Sequence, residues 1–303
     1  MKTLCLLPHE IETAIQLLKS GEPVAMPTET VYGLAAPLFN AEAVRKVFVL
    51  KGRPLDNPLI AHVSSLTMVD LIAENLPPSF YRLASHFWPG PLTLIVPRRK
   101  EVPEIVSAGH PTIAVRMPSH PLALQLIEGI GPLVAPSANL SGKPSPTTAA
   151  HVLEDLEGRL SAILDGGACS LGIESTVLSL VHVVPTLMRP GSIRKEELEA
   201  VLGQTIALSK KEGPIVSPGM KYRHYAPKAE LRIVTDPAEA KGEFVLSKQP
   251  VGTKLHRPLH AKTLYGFFRE ADRLQEKEIW VVLREDIEEG LKDRILTASL
   301  SIR

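Results

Sequence analysis

The sequence predicts an α/β protein with two domains. Short apolar runs bounded by proline or glycine alternate with segments of helical periodicity, which is the pattern of a sheet covered by helices. The 303 residues, 44% of them hydrophobic, suffice for one large domain or two ordinary ones with their own cores. This composition excludes a disordered or collagen-like chain. The periodicity fails once, around residues 208–228, so we predict a division there.

The elements of the first domain follow from local signals. Buried strands are predicted over residues 23–26, 59–63, 92–96 and 113–115. Helices are predicted over 11–19, ended by Gly21; 41–50, with Asn40 as N-cap; 66–74, with Ser65 as N-cap; and 195–202, ended by Gly203. The chain has 27 prolines, and their positions between these elements predict rigid connections.

The segment at 208–228 has the composition of a linker. A spacer requires only Gly, Ser or Pro, whereas this one places Tyr222, His224 and Tyr225 among basic residues, so we expect it to contact a ligand. After it, apolar runs at 231–234, 243–246 and 279–283 alternate with helical segments at 262–275 and 286–297. This alternation predicts a small second α/β domain with parallel-sheet character.

Charge and cysteine content narrow the class of protein. Thirty-four Lys and Arg against 33 Asp and Glu give a net charge of +1, so any basic site must be local. Cys5 and Cys169 form no C-x-x-C motif, which argues against a disulfide framework or a Cys-rich zinc site and suits a reducing cytoplasm. We expect a cytoplasmic location with no membrane contact, because no apolar run approaches spanning length and Pro8 interrupts any secretory signal.

Five polar clusters lie at the ends of the predicted strands, where α/β proteins place ligands. They are residues 27–34, 51–59, 111–118, 135–146, and 172–177 with 188–191. Taken alone, residues 27–34 are better interpreted as a plain N-cap and turn. The next three clusters each allow two interpretations. Lys51 and Arg53 could be solvated cations at the C-terminus of a helix. Together with Asn57, which lies between two prolines, they could also bind phosphate oxygens. Arg116 could be a solvated cation at the edge of the sheet, or it could bind the carboxylate of a ligand. Residues 135–146 could form a plain Ser/Pro turn, or a surface whose small residues let a ligand approach the backbone closely.

Other signals are weaker or absent. A lone histidine in a strand, such as His62, is more often a core residue than a catalyst. His256 and His260 are interpreted as surface residues because Pro258 breaks any helix that would align them on a metal. The sequence contains no Walker loop, G-x-G-x-x-G, G-x-S-x-G or H-E-x-x-H motif, so any phosphate site is of another kind.

Taken together, the clusters resemble the threonylcarbamoyl-AMP synthases of the Sua5/YrdC family in order and approximate spacing. The resemblance is carried by Pro27-Thr28-Glu29-Thr30-Val31-Tyr32-Gly33-Leu34, Lys51-Gly52-Arg53-Pro54, Asn57-Pro58-Leu59, Trp88-Pro89-Gly90-Pro91-Leu92-Thr93, Arg116-Met117-Pro118, Pro136-Ser137-Ala138-Asn139-Leu140-Ser141-Gly142, Glu174-Ser175-Thr176-Val177 and Arg189-Pro190-Gly191. The linker at 217–227 is similar to that of the long, two-domain Sua5 branch.

The resemblance implies a fold and a reaction. The implied fold is a YrdC-like twisted mixed sheet with helices that forms a concave basic cavity (1–207), a ligand-covering linker (208–229) and a small Rossmann-like α/β domain (230–303). The implied reaction joins L-threonine, bicarbonate and ATP into threonylcarbamoyl-AMP with release of pyrophosphate, for N6-threonylcarbamoyladenosine in tRNA. Mg²⁺ would bind through the phosphates without protein ligands, and no organic cofactor is implied.

The resemblance also implies roles for individual residues. The implied catalytic residues are Lys51 and Arg53. The residues implied to bind ATP are Arg53, Asn57, Thr112, Ser137, Asn139, Ser145, Arg189 and Tyr225. The residues implied to bind threonine are Thr30, His62, Arg116 and Ser175. Thr112 suits either ligand. Because two anions must meet, we expect positive charge and orientation to matter more than any single catalytic base.

Two other functions are alternatives to this enzyme. The first is an RNA-binding module, since the basic concave fold of this family has been interpreted as a double-stranded RNA surface; near-zero net charge and the lack of a basic stripe argue against it. The second is a carbamoyl transferase, as in hydrogenase-maturation proteins, whose acylphosphatase and zinc-finger segments this chain lacks. The sequence allows weak or local RNA binding. It leaves open whether the product is released or handed over to the tRNA threonylcarbamoyl transferase complex.

Overall fold

The first domain is built on one mixed sheet. The computed structural model describes residues 2–209, 224–251 and 256–300. The strands are β1 Leu4–Leu6, β2 Val24–Met26, β3 Gly33–Pro37, β4 Ile60–His62, β5 Leu92–Pro97, β6 Thr112–Arg116, β7 Leu133–Val134, β8 Ala162–Leu164, β9 Thr176–Ser179, β10 Thr186–Arg189 and β11 Ala207–Leu208. They form an eleven-stranded sheet in the order β1-β8-β2-β3-β7-β4-β6-β5-β9-β10-β11. The predicted mixed sheet is confirmed.

Helices cover this sheet, and several begin and end where the sequence predicts. They are α1 Ile11–Lys19, α2 Ala41–Lys51, α3 Leu66–Val69, α4 Pro78–Phe87, α5 Glu104–Ser107, α6 Pro121–Ile130, α7 Ala149–Leu156 and α8 Lys195–Leu202. Asn40 caps α2 by accepting a hydrogen bond from the Ala43 amide at 3.1 Å, and Gly203 ends α8 at a φ of 67°.

One helix is shorter than predicted. The sequence pattern predicts a helix over 66–74, whereas α3 ends at Val69. The chain then pairs with the end of β5 instead, because Ala73 forms a bridge with Arg98 and the Glu74 amide donates to the carbonyl of Pro97. The local periodicity of the sequence does not indicate this pairing between distant residues.

The strand register brings polar residues to one edge of the sheet. In the parallel pair of β4 and β6, His62 lies opposite Arg116. In the antiparallel pair of β5 and β6, Arg116 lies opposite Thr93. The parallel neighbour of β5 is β9, which begins at Thr176, directly after Ser175. Residues distant in sequence therefore converge where these strands end.

The second domain has a four-stranded parallel sheet. Its strands are β12 Glu230–Val234, β13 Val245–Ser247, β14 His256–Pro258 and β15 Glu278–Val282, in the order β12-β15-β13-β14. Its helices are α9 Ala261–Arg273 and α10 Glu289–Ser299, so the helix predicted from residue 286 begins three residues later. Within the described ranges, no helix combines the length and apolarity that a bilayer span requires.

His256 is not the surface loop residue that the sequence suggested. It begins β14, is partly buried, and its Nε2 lies 2.9 Å from the carbonyl oxygen of Ser247. The strand pairing of β13 and β14 explains this position, because His256 lies in register with Val245. His260, in contrast, is exposed.

The two domains pack directly on one another. Val31 and Ile173 of the first domain belong to the same buried apolar cluster as Leu231, Leu264 and Phe268 of the second. Gly290 of α10 lies so close to Gly191 that a Cβ there would overlap the Gly191 carbonyl oxygen. The second domain is therefore in contact with loops that carry the polar clusters.

The close approach of Gly290 gives a testable prediction. We expect Gly290→Ala to lower the free energy of unfolding by about 1–3 kcal/mol, because the added methyl group forces α10 away from the Gly191 loop. Gly266→Ala is the matched control, since Gly266 also lies in a helix of this domain and its Cβ would meet only His151 Cε1, at 4.0 Å. Urea unfolding measures both. Equal stability of the two variants would contradict the close packing.

Candidate active site

A cleft lies between the strand ends of the first domain and the first described residues of the linker. It encloses about 570 Å³ of space, part of it open to solvent. The residues predicted to bind ligands that line it are Thr30, Arg53, His62, Arg116, Ser137, Ser175, Arg189 and Tyr225. Glu174 and His224 also line it.

The cleft is basic. Arg53, Arg116 and Arg189 bring three guanidinium groups to it, and Glu174 is the carboxylate among the described residues that line it. A local excess of positive charge in a recess with low-dielectric walls attracts anions. The cleft therefore has a local excess of guanidinium groups, although Arg116 is paired with Glu29, while the chain as a whole carries a net charge of only +1.

Arg116 is held from several sides at the end of β6. Its Nη2 lies 2.6 Å from Glu29 Oε1 in a buried ion pair, and its Nη1 donates to Thr30 Oγ1 at 2.9 Å. Its Nε donates to the Gly90 carbonyl at 3.3 Å. Because these contacts fix the plane of the guanidinium, Arg116 is oriented before any ligand arrives.

His62 is a buried, neutral imidazole. Its Nδ1 lies 3.2 Å from the Ile60 carbonyl, which can only accept, so Nδ1 carries the proton and Nε2 is left as an acceptor. Burial, together with the neighbouring Arg116 charge, lowers the pKa of His62 to about 3. At neutral pH His62 can therefore accept a hydrogen bond from a ligand but carries no charge.

The lowered pKa makes stability depend on pH. His62 in the unfolded chain titrates at the ordinary value of 6.5, so between that pH and about 3 the unfolded state binds a proton that the folded state does not. The free energy of unfolding should therefore fall as the pH drops through this window. We expect the free energy of unfolding, measured by urea titration, to fall less over this pH range for His62→Gln than for the unaltered chain. Identical pH dependence in the two proteins would contradict a buried, neutral His62.

Arg53 is anchored through Asn57. Its Nη2 donates to Asn57 Oδ1 at 2.6 Å and to the Pro58 carbonyl at 2.8 Å, and its Nε donates to the Asn57 carbonyl at 3.1 Å. Burial lowers its pKa to about 10, still well above neutrality. Asn57 is not among the residues that line the cleft. The structure places Asn57 behind Arg53, as the residue that holds the 53–58 turn.

Lys51 lies beneath the cleft rather than in its wall. Its side chain is 2% exposed, and its ammonium donates to the carbonyl oxygens of Ser137 and, at 2.7 Å, Asn139. Burial lowers its pKa well below the ordinary value, and the Arg53 charge adds to this effect. These contacts hold the 137–139 loop. In this arrangement the Lys51 side chain contacts backbone carbonyls, and the catalytic role expected for Lys51 stays a prediction.

Arg189, at the end of β10, is joined to Ser175, directly before the start of β9. Arg189 Nε and Nη2 donate to the Ser175 carbonyl at 3.2 and 3.0 Å, and Nη2 also donates to Ser175 Oγ at 3.2 Å. Ser175 Oγ also lies 2.7 Å from Thr93 Oγ1, with either hydroxyl as donor. The Ser175 hydroxyl therefore has a fixed position between two neighbours.

Glu174 connects the cleft with the second domain. Its Oε1 accepts from Ser145 Oγ at 2.5 Å, and its Oε2 accepts from Tyr265 Oη at 2.9 Å and from Arg294 Nε at 2.6 Å. Burial alone would raise the pKa of Glu174, but the Arg294 and Arg189 charges and the Ser145 hydrogen bond outweigh it and hold the pKa below its usual range. Glu174 is thus ionised.

The described end of the linker reaches the cleft. Tyr225 is buried in a left-handed backbone conformation with a φ of 66°. Its ring lies 5.6 Å from the His224 ring and 5.8 Å from the Tyr265 ring. The Ala226 amide donates to the Gly142 carbonyl at 2.9 Å, which fastens this part of the linker to the first domain. Residues 210–223, which include Tyr222, lie outside the described residues.

Thr112, Asn139 and Ser145 do not line the cleft. Thr112 begins β6 and lies opposite Pro97, about 13 Å along the strand from Arg116. The Asn139 amide donates to the carbonyls of Leu140 and Lys143 at 2.8 and 2.9 Å, and the Ser145 hydroxyl donates to Glu174. The donors of Asn139 and Ser145 are therefore engaged within the protein.

Sequence reasoning missed several residues. Glu29 lies inside the 27–34 cluster, and the only signal was a charge between two threonines. Tyr265 and Arg294 lie on α9 and α10 with no motif around them. Among the residues that the structure describes, no group of three His, Cys, Asp or Glu side chains is arranged to hold a metal ion.

Comparison with known proteins agrees with this architecture. The model of the Sua5, YciO and YrdC family, described as "Telomere recombination", matches residues 16–191. A second model, "Threonylcarbamoyl-AMP synthase, C-terminal domain", matches residues 193–299. These matches cover both domains of the chain.

Curated relatives and a solved structure are similar over most of their lengths. The threonylcarbamoyl-AMP synthase of Pyrococcus abyssi is 47% identical over 235 residues, which are 76% of this chain and 69% of that protein. The synthase of Bacillus subtilis is 47% identical over 251 residues, 81% of this chain and 72% of that protein. The crystal structure of P. abyssi Sua5 complexed with L-threonine has a TM-score of 0.89 at 37% identity and covers 99% of this chain and 98% of that one.

The fold and the cleft define a two-domain α/β enzyme with a basic small-molecule site. The chain belongs to the threonylcarbamoyl-AMP synthase family, in its two-domain Sua5 branch. The resemblance found in the sequence motifs is thereby confirmed.

Proposed function

We propose that this chain synthesises threonylcarbamoyl-AMP from L-threonine, bicarbonate and ATP and releases pyrophosphate. The observation that carries the proposal is the convergence of Arg53, Arg116 and Arg189 on one cleft, in a member of the synthase family. A carboxylate, a carbamate and a triphosphate must meet in this reaction, and three fixed guanidiniums offset their mutual repulsion.

The chemistry proceeds in two bond-forming steps. The neutral amine of threonine attacks carbon dioxide formed from bicarbonate, and the nitrogen loses a proton to give the carbamate. That proton and the hydroxide released by bicarbonate leave together as water. A carbamate oxygen then attacks the α-phosphorus of ATP, and the bond to the pyrophosphate oxygen breaks. Arg53 and Arg189 would bind phosphate oxygens and stabilise the charge that develops on the leaving group.

Threonine would bind at the ends of β4 and β6. The fixed guanidinium of Arg116 suits the carboxylate, and the Nε2 of His62 accepts a hydrogen bond from the amine or hydroxyl. Thr30 and Ser175 supply hydroxyl groups on either side. In this arrangement His62 orients threonine, and positioning rather than a single base accelerates the reaction.

ATP would lie against Arg53, Ser137, Arg189 and Tyr225. Asn57, Asn139 and Ser145 would support these residues from behind, with Lys51 holding the 137–139 loop. Thr112 would contact only the part of a ligand that extends along β6. The Glu174 carboxylate is fully engaged by its protein partners, so we propose that Mg²⁺ enters with the triphosphate oxygens and neutralises their charge.

Tyr225 would exclude water from the mixed anhydride. We expect Tyr225→Ala to raise the fraction of product hydrolysed to AMP, threonine and carbon dioxide, because the Tyr225 ring lines the cleft. Quenched-flow samples separated by chromatography give the ratio of adduct to AMP. A ratio equal to that of the unaltered chain, with unchanged ATP affinity, would contradict the covering role.

The two domains and the linker have different proposed roles. We propose that residues 1–207 carry the catalytic cleft, residues 208–229 cover it, and residues 230–303 support the covering segment. The product would serve N6-threonylcarbamoyladenosine formation next to the tRNA anticodon in the cytoplasm, by hand-over to the tRNA threonylcarbamoyl transferase complex. Any RNA binding would be weak and local, since the chain carries a net charge of only +1.

The test of the proposal is pyrophosphate release from ATP and Mg²⁺. We expect release only when L-threonine and bicarbonate are both present, with a new nucleotide adduct in the chromatogram. L-Serine in place of L-threonine serves as the substrate control, and it should support slower release because it lacks the methyl group. Pyrophosphate release that is independent of the amino acid would overturn the proposal.

A further inference from the structure

Two side chains of the second domain reach the wall of the cleft. Tyr265 on α9 and Arg294 on α10 are both 0% exposed, and both donate to the carboxylate of Glu174. Arg294 Nη2 also donates to the backbone carbonyl of Glu174 at 3.2 Å. The second domain thus holds the side chain and the main chain of one residue of the first domain.

The same two side chains contact the linker. The Tyr225 ring lies 5.8 Å from that of Tyr265, and the Arg294 guanidinium carbon lies 5.3 Å from the centre of the Tyr225 ring. A guanidinium over an aromatic ring is an attractive arrangement. Glu174 of the first domain and Tyr225 of the linker, which both line the cleft, therefore share the same two partners.

We propose that Tyr265 and Arg294 are positioning residues of the active site, through which the second domain sets the geometry of threonine and ATP binding. The inference rests on the proposed function and extends it to the second domain. Neither residue lines the cleft. They act through Glu174, the residue before Ser175, and through Tyr225.

The path from Tyr265 to the ligands is short. Glu174 accepts from Ser145 and is followed by Ser175, whose carbonyl and hydroxyl bind Arg189. A rotation of the Glu174 peptide would move the Ser175 hydroxyl and the Arg189 guanidinium together. A buried carboxylate needs its partners, so the loss of one donor changes the orientation of the whole group.

Tyr265→Phe is the most selective variant. It removes only the hydroxyl that donates to Glu174 and keeps the ring that packs against Tyr225 and Phe268. Arg273→Gln is the matched control, because Arg273 also crosses the domain boundary, in an ion pair with Glu154 at 2.6 Å, but is 55% exposed and contacts no cleft residue. A third variant, Arg294→Lys, keeps the charge but has one donor group in place of the guanidinium fork.

The experiment measures L-threonine binding by calorimetry and steady-state pyrophosphate release for each protein, after melting curves show folded protein. We expect Tyr265→Phe to raise the threonine dissociation constant and KM by roughly tenfold, the effect of one lost hydrogen bond to a charged group. Arg294→Lys should raise them further, and Arg273→Gln should leave them unchanged. The effect of Tyr265→Phe should largely disappear when Ser175 is already Ala, because both act on one site.

The outcomes separate the inference from the proposed function. If the unaltered chain binds threonine and releases pyrophosphate but Tyr265→Phe behaves identically, the positioning role is overturned. An equal loss of threonine affinity in Arg273→Gln would also overturn it, since any weakened contact between the two domains would then explain the effect. A chain that neither binds threonine nor releases pyrophosphate overturns the proposed function and this inference with it.

Discussion

Replacing Arg116 by methionine should abolish most threonine-dependent turnover. The guanidinium is buried, oriented by Glu29, Thr30 and Gly90, and lies in the cleft wall, so methionine removes the charge that meets the substrate carboxylate while keeping much of the side-chain volume. We expect kcat/KM for threonine to fall by roughly 100- to 1,000-fold, the range for loss of one partner of a buried charged contact. Initial rates of pyrophosphate release against threonine concentration measure this fall.

Two variants control the Arg116 experiment. Arg99→Met removes an exposed arginine whose Nη1 donates to the Asp70 carbonyl outside the cleft, and it should behave as the unaltered chain. Glu29→Gln keeps Arg116 but weakens its orientation, so we expect a loss of roughly tenfold. An unchanged KM for threonine in Arg116→Met would contradict the placement of the substrate carboxylate.

Replacing Arg53 by lysine should impair ATP use and leave threonine binding intact. Lysine keeps a positive charge but cannot donate at once to Asn57 Oδ1, the Asn57 carbonyl and a phosphate, because it lacks the planar fork. We expect kcat to fall by roughly 100-fold, as when one preorganised donor is lost from a charge-stabilising site. Nucleotide-dependent initial rates measure kcat, and calorimetry with threonine provides the second readout.

The control variant for Arg53→Lys alters a residue of the helix that precedes Arg53. Lys46→Met removes a cation of α2 that pairs with Glu22 at the surface, and it should change neither ATP nor threonine kinetics. A fall in threonine affinity as large as the fall in kcat would mean that Arg53 supports the cleft as a whole, and would contradict a role confined to the nucleotide.

Local signals in the sequence predicted some of the elements; α4, α5, α6 and α7 were not among them. The caps at Asn40 and Gly203 and the short apolar strands depend on neighbouring residues only, and the structure confirms them. The helix at 66–74 was predicted too long, because the pairing of Ala73 with Arg98 depends on a strand more than twenty residues away. Tertiary pairing of this kind leaves no local periodicity to detect.

The site could be predicted only in part, for a similar reason. The motif clusters identified side chains that line the cleft, such as Arg53 and Arg189. They could not show that Lys51 is directed to the carbonyls of the 137–139 loop, since that depends on how far the helix end is buried. Tyr265 and Arg294 were missed because their partner, Glu174, lies about a hundred residues earlier in the chain.

The central claim is that this cleft joins threonine, bicarbonate and the AMP moiety of ATP in one molecule. The most direct test is mass spectrometry of the nucleotide product formed from ATP, L-threonine and carbon-13-labelled bicarbonate. We predict a single adduct that contains adenylate and threonine and gains the mass of one labelled carbon, and that is lost in Arg116→Met. An adduct without the labelled carbon, or AMP as the only new nucleotide at the earliest times, would contradict the synthesis of threonylcarbamoyl-AMP.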